Sequence, residues 1–461
     1  MTSASYRRRR KTLHFVAASA LLLAGACRTD QGREVETASG GRSVYAAAQE
    51  ERQITGPDVG LAPRLVAPAA TPSAVNFSRV IGWPAEGEPS APAGFTVTLF
   101  VDGLDNPRWL HPLPNGDVLV AESRTSGPAK LPPEVRQKLA ASGISGPSAN
   151  RISRLRDADG DGRAEMRETF LEGLNQPLGM LALGNWFYAA NTDAVLRFPY
   201  DSAAARVTGR GRKILDLPAG GYNNHWTRNL IASRDGSKLY VTVGSATNVD
   251  DERIDRRDER RAAILEVNPD GSGMRVFASG LRNPNGLGWE PESGALWSAV
   301  NERDELGDEL VPDYLTSVRQ GAFYGWPYAY WGSNEDPRRK GERPDLVAKA
   351  IAPDFAVGAH TATLGLAFGE RLGFPERYRH GAFIGQHGSW NRSTFVGYRV
   401  AFVPFANGRP GGTLEEFLTG FIADSAKGEV WGRPVGLAVA RDGALLVADD
   451  AGNRVWRVAA R

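Results

Sequence analysis

The chain has 461 residues, with 55 Lys+Arg against 53 Asp+Glu, 53 Gly, 29 Pro, 11 Trp and one Cys. A balanced charge with no strongly basic half excludes a dedicated nucleic-acid binder, and 41% hydrophobic residues exclude a disordered chain. Gly and Pro well above their usual combined share of about 12% argue against a helical bundle, and one Cys rules out an internal disulfide, a cysteine zinc site or covalent haem attachment.

Arg7 to Lys11 carry five consecutive positive charges, and Leu13 to Ala26 is almost wholly apolar or small. That run is shorter than the roughly 20 apolar residues needed to span a bilayer. Residues 1–26 therefore read as a signal peptide and the rest as exported. The run ends Leu23-Ala24-Gly25-Ala26-Cys27 at the only cysteine. This resembles a bacterial lipoprotein signal, although Ala24 stands where the usual pattern has Leu. The resemblance implies a lipid on Cys27, a membrane anchor, and a periplasmic or cell-surface location. Residues 27–92, rich in Ala, Gly, Ser, Pro and Thr and without periodicity, read as a flexible tether.

From residue 93 to 461 one phrase recurs: a Gly-rich approach, an apolar run, a turn and a strand. Its copies begin at Gly103, Gly173, Arg228, Gly280, Leu364 and Gly432. Asn115-Gly116, Asp235-Gly236 and Asp442-Gly443 supply hairpin turns. Six units of four strands each fit an all-β, six-bladed β-propeller of antiparallel blades with loop insertions. The segment from Gly94 to Phe100 and the one from Asn453 to Val458 can share one blade. Pro132 to Ala141 is the best helical candidate.

Several loops carry chemistry. Asp157, Asp159, Asp161 and Glu168, with Gly162 at the sixth place, have the spacing of an oxygen-rich Ca²⁺ loop; otherwise they form a solvated turn. His225 precedes a strand in Asn223-Asn-His-Trp-Thr-Arg228 and can serve as a base near neutral pH, or as a structural His. Arg228, Arg282 and Arg433 occupy equivalent loops, where converging guanidinium groups suit an anionic ligand. The acidic loop from Asn301 to Glu309 can offer carboxylates or carbonyls to a second Ca²⁺. The stretch Gln386-His387-Gly-Ser-Trp390-Asn391-Arg392 is polar and aromatic, and Trp390 could stack on a sugar.

Together, His225-Trp-Thr-Arg228, the run from Gly280 to Leu287, Asn301 to Glu309, Tyr324-Gly-Trp-Pro327 and Gly432-Arg-Pro-Val435 resemble the soluble pyrroloquinoline-quinone-dependent sugar dehydrogenases, most closely the L-sorbosone dehydrogenase-like branch. The resemblance implies that His225 is the base for the substrate hydroxyl, and that Gln176 lies at the quinone edge. Arg282 and Asn283 would contact the quinone carbonyl region, and Arg433 a quinone carboxylate. The backbone carbonyls of Glu302 and Arg303 would hold the Ca²⁺. Arg228, His387 and Arg392 complete the expected cofactor set. The glucose-oxidising members have Gly-Pro in place of Glu302-Arg303 and a Lys in the segment from Gln386 to Arg392. The implied partners are a small sugar and a separate electron acceptor. A Ca²⁺-dependent propeller lactonase and a non-catalytic, surface-tethered binding propeller are the alternatives.

Overall fold

Each copy of the repeated phrase folds into an antiparallel hairpin. The structure is a computed structural model that describes residues 52–461 apart from 126, 128–131, 221, 222 and 252. The signal peptide, Cys27 and the first part of the tether lie outside the described residues. The hairpins pair Pro107–Pro112 with Val118–Glu122, Met180–Leu183 with Trp186–Ala190, and Leu230–Ala232 with Leu239–Val243. Asn283–Trp289 pairs with Leu296–Asn301, Thr363–Phe368 with Gly381–Gln386, and Pro434–Val439 with Leu445–Asp449. Gly116, at φ +99°, provides the positive dihedral that the first hairpin turn needs.

Two more strands extend each hairpin into an antiparallel meander. In the sixth sheet these are Arg454–Ala460 and Phe95–Val101, paired from Val455↔Val101 to Ala460↔Phe95. The end of the chain is thus sewn to an early strand, as the sequence suggested. The described residues are all-β with a few short helices, the longest among them being Pro133–Ala141, which starts directly after Pro132.

Six buried apolar clusters fill the junctions between successive sheets. Leu119 and Ile152 meet Phe187 and Phe198 between the first and second. Val118 and Val120 meet Leu446 and Val455 between the sixth and the first. The packing therefore runs in a cycle. The first strands of neighbouring sheets come very close where glycine replaces a side chain. A Cβ on Gly365 would sit 2.1 Å from Val435 O, and one on Gly436 2.6 Å from Arg108 O. Gly365→Ala is expected to cost about 1–3 kcal/mol through overpacking against rigid backbone, read as a lower denaturation midpoint. Gly411→Ala, in open space, should leave the midpoint in place. Equal midpoints for both variants would contradict this close approach.

The tether expected over 27–92 does not extend through its second half. Gln53–Ile54 pairs with the outer strand Leu414–Leu418, Val59–Gly60 with Phe355–Ala359, and Arg79–Val80 with Glu429–Val430. Trp83 packs against Phe421, Trp431 and Trp456, and its Nε1 donates to Asp449 at 2.7 Å. The physical reason is edge satisfaction. Outer strands present unpaired N–H and C=O groups, and scattered apolar residues such as Leu65, Val66 and Val80 dock on the clusters beside them.

Candidate functional site

In an antiparallel hairpin the start of the first strand lies beside the end of the second. The registers Pro107↔Glu122, Asn283↔Asn301, Thr363↔Gln386 and Pro434↔Asp449 show this. Residues leading into the first strands (Gln176, His225, Arg282, His360, Arg433) therefore join those following the second strands (Ser245, Glu302, His387, Asp450). Contacts between sheets, described below, tie these ends into one rim.

His225 is 9% exposed. Its Nδ1 lies 2.9 Å from both Ser245 O and Ser245 Oγ. The carbonyl can only accept, and the Ser245 hydroxyl already donates to Thr247 O at 2.8 Å. Nδ1 must therefore carry the proton, leaving the Nε2 lone pair free. Burial, then the Arg282 charge, depress the His225 pKa well below its usual value. The side chain is a neutral imidazole with a defined tautomer at pH 7.

Arg282, fully buried, is pinned by its neighbours. Nη2 donates to Asp304 Oδ2 and Asn248 Oδ1, both at 2.9 Å, Nε donates to Asn248 O at 3.1 Å, and Nη1 donates to the Glu302 carbonyl. Asp304 also meets His360 Nδ1 at 3.2 Å. Burial favours the protonated carboxyl of Asp304, yet Arg282 and His360 outweigh it and hold the pKa at about 2. Burial pushes the neighbouring Glu302 up to about 7. Asn283 is buried, and its Oδ1 has no partner among the described residues. A Cβ on Gly244 would lie 2.6 Å from both that oxygen and His225 Cβ, so Gly244 is what lets the two side chains sit so close.

Across the rim, Arg108 donates to Asp450, and His387 Nε2 lies 2.9 Å from Asp450 Oδ2. The Arg108 guanidinium sits 5.4 Å from the Trp226 ring, linking this cluster to the residue after His225. Burial first, then Arg433, lower the His387 pKa to about 4. Arg108 Nε is buried without a partner among the described residues.

Two expected cofactor arginines turn out otherwise. Arg228 donates to the carbonyls of His225, Thr227 and Pro218 at 2.7–2.8 Å. Arg433 donates to the carbonyls of His387, Gly388 and Ser142 at 2.9–3.2 Å. Their forks hold the rim's backbone instead of facing a ligand, because buried guanidinium donors take the nearest carbonyls. Neither has an ion-pair partner among the described residues, so their charges still raise the potential of the rim. Burial, then Arg261, lower Arg228 only to about 9.

The remaining expectations divide. Gln176, at φ +48°, donates from Nε2 to Arg124 O at 3.0 Å. The Arg303 side chain is buried against Asp336 at 3.0 Å. Arg392 donates to Asp308 O, and Trp390 stacks on Phe77 with centroids 5.5 Å apart. Both are thus engaged with their own chain. Asp157, Asp159, Asp161 and Glu165 bring carboxylate oxygens within 4.8 Å of one another. Glu168, expected in that set, instead lies on the strand Met166–Leu171 and pairs with Arg154. The register Val118↔Leu155, Glu122↔Arg151 puts this turn at the end of the first sheet opposite the rim.

Sequence reasoning missed Arg108, Ser245, His360 and Asp450, and read Asp304 in the acidic loop as a metal ligand where it pairs with Arg282 and His360. Arg108 directly follows the Asn-Pro of the first repeat copy, a signal that could have found it.

The chain is 32% identical to an uncharacterized protein of Borreliella burgdorferi over 245 residues, 52% of this chain and 62% of that one, which is less than two thirds of its length. It is 26% identical to the aldose sugar dehydrogenase YliI of Escherichia coli over 316 residues, 64% and 79% of the two chains. A calcium structure of the Trichoderma reesei carbohydrate-active enzyme of family AA12 superposes with a TM-score of 0.65 at 20% identity, covering 85% of this chain and all of that one. The holo form of the pyranose dehydrogenase PQQ domain from Coprinopsis cinerea gives 0.65 at 21%, with 83% and 100% covered. These likenesses speak to the fold. A family model described as TrAA12-like matches residues 89–342 and 332–461, and the chain belongs to that family.

Proposed function

We propose that the chain is a quinoprotein sugar dehydrogenase, a six-bladed propeller that oxidises an aldose or sorbosone-like sugar aldehyde with pyrroloquinoline quinone and Ca²⁺ at its rim. The observation that carries this reading is His225, a buried neutral imidazole with Nδ1–H fixed by Ser245 and Nε2 free. The names of the relatives support it: one is an aldose sugar dehydrogenase and another a PQQ domain in holo form.

The residues present fit the group. Asn283 Oδ1 and Arg108 Nε are buried polar atoms without partners, and such atoms call for a ligand or water. The unpaired charges of Arg228 and Arg433 suit a tricarboxylate through the field they create. The carbonyls of Glu302 and Arg303 would hold the Ca²⁺, with Glu302 O sharing its second lone pair because Arg282 occupies the first.

When bound, the quinone supplies a two-electron acceptor for the hydride leaving the sugar's anomeric carbon. His225 Nε2 takes the hydroxyl proton as that bond to hydrogen breaks, and Ser245 keeps the imidazole turned toward it. Arg282 acts on the base through its charge, and the burial of both side chains keeps bulk water away. A separate acceptor would be needed to take up the electrons. Asp304 and Asp450, two of the rim's carboxylates, each already hold an Arg and a His, which disfavours a lactonase that would use them as metal ligands.

Protein reconstituted with the quinone and Ca²⁺ should reduce an artificial dye with at least one member of an aldose panel. Lactone hydrolysis without quinone, and no dye reduction, would overturn the reading. We also place the protein outside the cytoplasm with a lipid on Cys27. Cys27→Ser should move it from the membrane to the soluble fraction, and unchanged partitioning would remove the anchor.

A further inference from the structure

Residues 69–77 thread between two rim loops, one following Asn301 and one following Gln386. On the first side, Ala69 N donates to Leu306 O at 2.7 Å, Asp308 N donates to Thr71 Oγ1 at 2.7 Å, and Gly307 N donates to Ser73 Oγ at 3.2 Å. On the second, Asn76 N donates to Trp390 O at 2.7 Å, and Phe77 lies over Trp390 with 8° between the rings. Asn391 joins all three segments: its Oδ1 accepts from Glu305 N and its Nδ2 donates to Ala74 O, both at 2.8 Å. Asp308 closes the knot by accepting from Ser393 N at 3.0 Å.

The first loop carries Glu302, Arg303 and Asp304; the second begins with His387. Loops on a β scaffold are its most mobile parts, and a binding site built on them is only as tight as the contacts that fix their spacing. Here that fixing comes from a distant part of the sequence. We infer that residues 69–77 belong to the ligand site as a strap, with Thr71, Ser73 and Phe77 as positioning residues that set the spacing between Glu302–Asp304 and His387. The ligand assignment rests on the quinone reading above; the lacing itself does not.

The test is Thr71→Val/Phe77→Ala in the full chain, read by two probes. Hydrogen exchange without quinone reports on the Gly307 and Asp308 amides; absorbance titration with the quinone and Ca²⁺ reports the apparent Kd. Exchange at Asp308 and the Kd should each rise at least tenfold. Ile54→Ala is the control for general loss of stability. It weakens the chain's attachment at Leu414, far along the segment, and should leave the Kd unchanged. If the double variant does not fold, Thr71→Val alone still tests the Asp308 amide. Unchanged exchange at Asp308 overturns the lacing. Raised exchange with an unchanged Kd, or an equal rise in Kd for Ile54→Ala, overturns the role in the site. Failure of the unmodified protein to take up quinone contradicts the functional reading instead, and exchange at Asp308 then decides the lacing by itself.

Discussion

His225→Ala is expected to lower kcat/KM for the aldose by about 10²–10⁴-fold, the usual contribution of a positioned general base, while quinone uptake stays within a few-fold. The pH profile follows from the same residue. A base must be deprotonated, and burial with the Arg282 charge depresses the His225 pKa well below its ordinary value. The acid limb of kcat/KM should therefore lie well below pH 6.5, with a plateau through neutrality. A purely structural His225 predicts something different: a fall in stability and no specific loss of the acid limb. Steady-state dye reduction between pH 4 and 8 by the unmodified protein and by His225→Ala separates the two.

The second large effect is on Arg282. Arg282→Leu leaves Asp304 buried with only His360 beside it, and breaking a buried pair from one side costs about 3–5 kcal/mol. Arg282→Lys should recover little of this, because three guanidinium nitrogens reach Asn248, Glu302 and Asp304 at once and one ammonium cannot. The pair also fixes a dependence on acid. The Asp304 pKa falls from an ordinary 3.8 to about 2 on folding, so its contribution, about 2 kcal/mol, is present above pH 4 and lost as pH falls through 2. Asp304→Asn should flatten that part of the stability curve. Denaturation midpoints at pH 7 and pH 3 measure both effects. An Arg282→Leu variant as stable as the parent would show that the pair does not hold the rim.

The hairpins and their closure were legible because local chemistry specifies them. Asn115-Gly116 forces a turn, the flanking apolar runs form strands, and repetition sets the number of sheets. The place of His225 was legible as well, since a strand-leading loop delivers it to the rim. The partners were not. Ser245, Asp304 and Asp450 follow second strands, and only antiparallel pairing brings them beside residues that precede first strands. Arg228 and Arg433 show the converse limit. Their spacing matched that of Arg282, but whether a guanidinium faces a ligand or a carbonyl depends on backbone supplied from elsewhere, such as Ser142 for Arg433. The segment over residues 52–92 lacks periodicity because it borrows its partners one at a time from finished sheets, so composition alone read it as a tether.

Each role proposed at the rim requires a quinone held there beside a neutral His225. Titrating the purified protein with pyrroloquinoline quinone in the presence of Ca²⁺, followed by absorbance, tests this most directly. It predicts saturable uptake of one quinone per chain, and a spectral change on adding aldose that His225→Ala abolishes. A folded protein that takes up no quinone, or one whose bound quinone is reduced equally well without His225, would contradict it.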